Sequence, residues 1–306
     1  MQVDVDELWV YYESIGLKPP APSPAPVYGQ GVLRLLDLFE RFGIRATFFI
    51  CGRDLPEQAG PVAAMVDRGH EVANHSTEHR VGFARLGLQE KRADIAEAHR
   101  RILQASGQVP VGFKSPGFSF HADQLLVLRE LGYLYDSSLL PTPYAVPMRG
   151  LQRILSGGQV DPTQYGRTAH GRAALHPYYP DPEMPHRSHR PAAADGPSHP
   201  GLWEAPVTTV PWLRVPMHST FVLTAGRWLF DLGLALVRAG GVPINYLLHA
   251  ADVVDPVGDP ALASYRFLNR PWEAKRPLYE HMLSRLSKAY HLVPTREFLN
   301  LGAGGG

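Results

Sequence analysis

The chain has 306 residues, 44% of them apolar and 19% charged, which is ordinary for a soluble globular protein and enough for one large domain or two modest ones. Its formal net charge of +1 gives no electrostatic footprint for nucleic acid or another polyanion. The single cysteine, Cys51, excludes an internal disulfide framework and reads as a buried small apolar residue in a reducing compartment.

Residues 1–20 carry acids and no apolar leader core, so a cytoplasmic location is expected. Residues 3–5 read as a short strand. Val32, Leu35, Leu36, Phe39 and Phe42 recur with helical spacing, and Gly43 ends that helix. Residues 44–50 (IRATFFI) are strongly β-prone. Residues 61–66 form a short helix, and residues 70–73 a strand that delivers His75; His70 itself reads as structural. Residues 88–103 make a charged amphipathic helix with Ile95, Ala98 and Ile102 on one face. Residues 109–113 are a strand, followed by Lys114-Ser-Pro-Gly-Phe118. Residues 122–131 are a helix, and residues 133–135 a strand ending on Asp136.

From about 141 to 200 the periodicity stops. This stretch is rich in Pro, Gly, Arg and His and holds His170, His176, His186, His189 and His199. Their spacing is irregular, so a long loop or cap over the site is expected rather than a metal tract. Residues 204–210 (EAPVTTV) resume as a strand, residues 224–239 as a helix, and residues 242–248 (VPINYLL) as a strand delivering His249. Trp203, Trp212 and His218 could line a groove near it. Leu278, Met282 and Leu286 mark a last helix, residues 292–299 contain a final strand, and residues 303–306 are a disordered tail. The apolar stretch 221–240 is interrupted by Arg227, Asp231 and Arg238, which argues against a membrane span. Peripheral contact of residues 221–237 with an inner membrane surface is the more adventurous reading, and an ordinary packed helix the plainer one.

Strands alternating with helices imply a parallel α/β sheet with crossover helices. Asp6, His75, Lys114, Asp136 and His249 all fall just after strands, where α/β folds place their sites. His75 and His79 are four apart, a spacing that puts two imidazoles on one face of a helical turn. With Asp4 and Asp6 of Val3-Asp-Val-Asp-Glu7 they make a site for one divalent metal with a carboxylate base beside it.

In order and spacing these motifs resemble the NodB-type polysaccharide deacetylases, carbohydrate esterase family 4. The likeness runs from Val3 to about Leu299 and leaves out only residues 142–200. It implies a distorted (β/α)7-type barrel over residues 1–300, with 142–200 as an irregular insertion and 301–306 as a flexible tail. It also implies hydrolysis of an N-acyl group, with acetyl the expected one, on an amino sugar. Val3-Asp-Val-Asp-Glu7 matches the family's spaced variant, with Asp4 as base and Asp6 as metal ligand. His75-Ser-Thr-Glu-His79 matches the His-Ser/Thr-x-x-His motif and supplies the other two ligands. Lys114-Ser-Pro-Gly117 stands where the family has Arg-x-Pro; lysine keeps the charge but not the planar two-point contact. Tyr135-Asp-Ser-Ser138 resembles the motif beside the acyl pocket, and Leu247-Leu-His249 the last one.

The resemblance further implies that two imidazoles and a carboxylate hold Zn²⁺ with one position open. Asp4 takes a proton from water, and His249 gives one to the leaving amine. Asp136 is expected to orient His249, and a backbone N–H at Gly117, beside Phe118, to help hold the oxyanion. The substrate class is an amino sugar in a polysaccharide, oligosaccharide or lipid-linked glycan, and nucleic acid is not an expected partner. A deformylase or other non-peptide amide hydrolase is the alternative on the same fold. A catalytically silent glycan-binding member is the other, with Lys114 as its support.

Overall fold

In the computed structural model, residues 1–21, 25–55, 57–156, 160–189 and 201–301 are described. The opening strand β1 (Gln2–Val5) leads into α1 (Leu8–Ser14), a π-helical turn at Val27–Val32 and α2 (Leu33–Phe42). Then come β2 (Thr47–Ile50), α3 (Ala59–Asp67), β3 (Glu71–Asn74) and α4 (Leu88–Ser106). Next are β4 (Gly112–Phe113), α5 (Asp123–Glu130), β5 (Tyr135–Asp136), α6 (Ala145–Ser156) and β6 (Trp203–Glu204). The chain closes with α7 (Ser219–Ala225), α8 (Arg227–Ala239), β7 (Leu247–His249), α9 (Trp272–Ala289) and α10 (Thr295–Phe298).

The strands lie in the order β6-β5-β4-β3-β2-β1-β7, and every ladder is parallel. Parallel strands need crossovers, and the helices supply them on the outer face. The result is a seven-stranded curled half-barrel. Its β6 and β7 edges are joined by Asn245 rather than by a ladder. The Asn245 amide group donates to the carbonyls of Ala205 (3.0 Å) and Pro206 (3.1 Å), and the Thr208 N–H donates to the Asn245 carbonyl at 3.1 Å.

The core follows from the apolar periodicity. On α2, Leu35, Leu36 and Phe39 are fully buried, and the Phe39 ring meets Phe48 of β2 at 6.0 Å. Gly43 caps α2 in the left-handed region at φ 64°, which lets the chain turn at once into β2. Gly112 is required for a different reason. A Cβ there would lie 2.0 Å from the Tyr135 ring, so only glycine lets that ring cross under β4. Cys51 is buried, as expected.

Several elements differ from the sequence reading. The strand expected at 204–210 ends at Glu204, because Pro206 has no N–H to continue a ladder. The strands expected at 109–113 and 242–248 contract to β4 and β7. The final strand expected at 292–299 is instead α10, which starts directly after Pro294. Its Thr295 N–H donates to Thr47 Oγ1 at 2.7 Å and closes the barrel floor. The helix expected at 224–239 is broken at Gly226, φ 87°, into α7 and α8. Phe230, Leu234 and Val237 of α8 are buried, so this apolar stretch is used in packing. Neither α1 nor the Val27–Val32 turn was expected, and α6 lies inside the supposedly irregular insertion. His199 and the tail at 303–306 lie outside the described residues. Among the described residues, no helix is long and apolar enough to cross a membrane.

Candidate active site

The site sits at the C-terminal ends of β1, β3, β4 and β7. Period-two alternation along β1 turns Val3 and Val5 one way and Asp4 and Asp6 the other. Asp4 lies in register with His249 of β7, which brings two residues 245 positions apart onto neighbouring strands. His75 follows β3. Its Nδ1 lies 2.8 Å from the Lys114 carbonyl, which places the ring proton on Nδ1 and turns the Nε2 lone pair toward the aspartates.

His75 and His79 do not share a helical turn. Ser76 (φ 70°) and His79 (φ 41°) both adopt left-handed backbone and fold the loop back on itself. Such conformations cost about 1–3 kcal/mol each, so surrounding bonds must hold them. Here the Ser76 N–H donates to Asn74 Oδ1 (2.7 Å) and the His79 N–H to Ser76 Oγ (3.0 Å). Thr77 donates through its N–H to Asp94 Oδ1 and through its hydroxyl to the Asp94 carbonyl, both at 2.7 Å. Asp94 belongs to α4, so that helix anchors the loop.

The loop brings His75 Nε2 to 3.5 Å and His79 Nε2 to 3.4 Å from Asp6 Oδ1. Asp6, His75 and His79 form a group whose ligand atoms lie within 4.8 Å of one another. Asp6 Oδ1 is buried without a hydrogen-bond donor among the described residues. Burial, and then the charge of Asp4, push the Asp6 carboxyl above its usual range against the pull of His75. Burial lowers both imidazoles, His79 to about 4, and keeps them in the neutral ligand form. An undonated carboxylate oxygen flanked by two imidazole lone pairs fits a divalent cation. The donor set alone does not choose the metal.

Asp4 is held differently. Lys114, 1% exposed, donates from Nζ to Asp4 Oδ1 at 2.7 Å and stands 4.3 Å from the Phe49 ring centroid. Burial would raise the Asp4 carboxyl, but Lys114 and the imidazoles of His75 and His249 outweigh it and hold it below the ordinary value. Lys114 therefore makes one contact, and Asp4 Oδ2 faces His75 and His249, each 4.0 Å away.

His249 Nδ1 lies 3.2 Å from Thr220 Oγ1 and 4.0 Å from Asp252 Oδ2. Asp252 is fully buried and accepts from the hydroxyls of Ser219 and Tyr279 (2.9 Å). The carboxylate beside His249 is thus Asp252, not Asp136. Asp136 accepts from Gln124 Nε2 (3.0 Å) and the Ser138 hydroxyl, next to the equally buried Glu204. Burial raises both Asp136 and Glu204, and the charge of Asp136 raises Glu204 further. Tyr135 also points away from the site, its hydroxyl donating to Glu71 Oε1 at 3.0 Å.

One cavity joins these groups. Asp4, Asp6, His75, His79 and His249 form its floor, and Gly117, Phe118 and His218 its wall. Gly117 and Phe118 both have φ 56°, a sharp bend that brings the 117–118 backbone to the cavity edge. Tyr11, Tyr265 and Phe267 form an edge-to-face aromatic group on the rim, with Tyr11 5.1 Å from Tyr265 and 5.7 Å from Phe267. Gln152, Gln164 and Tyr165 of the insertion cover the other side. Asp252, Glu204, Thr220 and Tyr11 were missed in the sequence. Only Asp252 left a readable sign, as the acid three residues after His249.

The barrel mouth thus carries an Asp-His-His cluster that could hold a metal ion, beside a lysine-bound aspartate. Residues 26–135 match the polysaccharide deacetylase family. That match contains His75, His79 and Lys114, whereas Asp4, Asp6 and His249 lie outside it and join the site only through the fold. The chain is 31% identical over 119 residues to a peptidoglycan deacetylase of Helicobacter pylori, covering 38% of this chain and 40% of that one. It is 31% identical over 124 residues to a chitooligosaccharide deacetylase of a Bradyrhizobium species, covering 40% and 55%. The chain therefore spans about half, or less, of the length of these relatives. A Mycobacterium smegmatis structure assigned to the polysaccharide deacetylases shares the fold, with a TM-score of 0.57 at 18% identity over 98% of this chain and 87% of that one. Residues 26–135 are thus similar to the polysaccharide deacetylases, and the seven-stranded parallel half-barrel is the fold of the structure assigned to them.

Proposed function

We propose that this protein is a metal-dependent N-deacetylase of amino-sugar glycans. The observation that carries this reading is the undonated Asp6 Oδ1, set between His75 Nε2 and His79 Nε2, with a lysine-held Asp4 beside it. Asp6, His75 and His79 would hold one divalent ion, with Zn²⁺ the best match to two nitrogens and an oxygen. Bound there, the ion would polarise an acyl carbonyl and acidify water.

The chain's own residues account for the rest. Asp4 stays ionised because Lys114 is paired with it, so it can accept a proton from an attacking water. Its free Oδ2 faces His249 across the cavity floor. His249 is placed to give a proton to the leaving amine, with Thr220 and Asp252 on its Nδ1 side fixing the ring. Base and acid thus flank one acyl group, as amide hydrolysis requires. The 117–118 backbone supplies the wall from which an N–H would meet the oxyanion. Lys114 gives Asp4 the positive partner that the family's arginine would give, so the substitution offers little support to a silent member.

The test is release of acetate or formate from N-acylated chitooligosaccharides, peptidoglycan fragments and polyprenyl-linked amino sugars with Zn²⁺ added. Acetate release supports the proposal. Formate release alone would move the protein to the deformylases, and no release from metal-loaded protein would sink the catalytic reading.

A further inference from the structure

Helix α6 leaves an apolar face uncovered. At 100° per residue, Val146, Pro147, Gly150, Leu151 and Ile154 share one face, with Arg153 at its edge. That face points to solvent: Val146 and Leu151 are 58% exposed, and Ile154 is 80% exposed. The inward side carries Met148, Arg149 and Gln152. Gln152 lines the active-site cavity, and Met148 packs against the Phe118–Leu140–Val207–Leu247 cluster beside it. Arg149 donates to the carbonyls of Gln164 (2.7 Å) and Gly166 (3.0 Å), so the helix is tied down by its polar side.

A second exposed apolar group adjoins it. Trp212 is 71% exposed at the tip of a turn in which Trp212 and Arg214 both have positive φ. The Tyr144 hydroxyl, just before α6, donates to the Leu213 carbonyl at 2.9 Å and joins the two segments. Exposed aliphatic and aromatic side chains grouped in this way mark an interaction surface.

Charge indicates what the surface meets. Residues 142–160 and 205–217 contain no Asp or Glu, and with Arg149 turned inward, Arg153 and Arg214 are their remaining charged residues. A two-fold contact with a second copy would set the same cationic patch against itself. Bare valine, leucine and isoleucine are also a poor platform for a hydrated sugar chain. The undescribed residues 157–159 and 190–200 contain no Phe, Tyr, Trp, Val, Leu or Ile with which to bury Ile154 or Leu151.

We propose that α6 and the 211–214 turn dock the protein peripherally on an anionic lipid surface, beside the cavity that the inner side of α6 lines. An apolar ridge with Arg153 at its edge and Arg214 in the adjoining turn matches the acyl boundary and the anionic headgroups together. The inference rests on the deacetylase reading only for what it brings to the cavity, an amino sugar presented at the lipid–water boundary.

The test is co-sedimentation of the full chain with vesicles of phosphatidylcholine alone or mixed with phosphatidylglycerol. Binding should be about tenfold or more tighter to the mixed vesicles and should weaken as salt rises. V146E/I154E should remove it while leaving hydrolysis of a short soluble N-acetylated oligosaccharide and the unfolding midpoint unchanged. Brominated lipids should quench tryptophan fluorescence in the unsubstituted protein and lose that effect in W212F, a readout that does not depend on the glutamate variants folding. Equal binding to both vesicle types, or no binding, overturns the proposal. So does a dimer in solution that V146E/I154E disperses, which would make the face a contact between copies. Vesicle binding without acetate release from any substrate would leave the docking surface standing and remove the deacetylase reading; acetate release without vesicle binding would do the reverse.

Discussion

The Lys114 ammonium lies 2.7 Å from Asp4 Oδ1, and both groups are almost fully buried. That pair fixes the charge state of the group placed to act as base. Removing the lysine would leave a buried carboxylate unpaired, which commonly costs about 3–5 kcal/mol. Lys114→Met is therefore expected to destabilise the fold, lower kcat about 10²-fold and raise the Asp4 carboxyl. The sign follows directly: a raised base protonates earlier as pH falls, so the acid limb of kcat/KM must move to higher pH. Lys114→Arg should keep the limb in place. A full pH–rate profile of both variants decides this, and an unmoved acid limb in Lys114→Met would count against Asp4 as the base.

Asp4 and Asp6 sit two residues apart and should separate cleanly. Asp6→Asn and His79→Ala remove a proposed ligand and are expected to lose bound Zn²⁺ along with turnover. Asp4→Asn should retain the metal and lose turnover. Elemental analysis of purified protein gives stoichiometry. The rise in melting temperature on adding Zn²⁺, present in Asp4→Asn and absent in His79→Ala, gives a readout that needs no activity. Metal retained in His79→Ala would show that the cluster is misassigned.

The two buried carboxylates Asp252 and Asp136 make opposite predictions. Asp252→Asn changes the group beside His249 Nδ1 and is expected to lower kcat about 10- to 100-fold with little change in KM. Asp136→Asn should leave the His249-dependent basic limb where it is, because its partners are Gln124, Ser138 and Glu204. Basic-limb positions for the two variants would distinguish them; a shift in Asp136→Asn alone would restore the sequence-based expectation.

His70 predicts an acid-sensitive fold. Its Nδ1 accepts the Ala46 N–H at 3.1 Å, and its ring packs against Phe39 and Phe48. Burial, and then Arg68 and Arg45, lower its pKa to about 4. The folded state therefore resists protonation that the unfolded chain accepts near 6.5. Stability from this group is full above about pH 6.5 and is lost as pH falls toward 4, by about 2 kcal/mol after solvent screening. Urea midpoints of the unsubstituted protein should fall across that window more steeply than those of His70→Gln. Parallel slopes would exclude His70 as the source.

Some of this was legible in the residues because it is local. The two-residue period of β1 turns Asp4 and Asp6 to one side, and the apolar runs ending at His75, Lys114 and His249 carry those side chains to one end of a parallel sheet. The order of strands and helices, and with it the parallel α/β class, follows from the same periodicities, whereas the barrel was implied by the family resemblance. What only the tertiary structure decided depends on which distant segments meet. Asp252 stands beside His249 because α7 and α9 fold Ser219 and Tyr279 onto it, while Asp136 is taken up by Gln124 and Glu204. The His75–His79 loop adopts left-handed backbone that its spacing does not announce, because Asp94 of α4 pays for it. Helix α6 lies in a stretch where no helical period was read, so neither the helix nor the direction of its apolar face was legible. Only the packing of Met148 and Gln152 against the cavity turned that face outward to solvent.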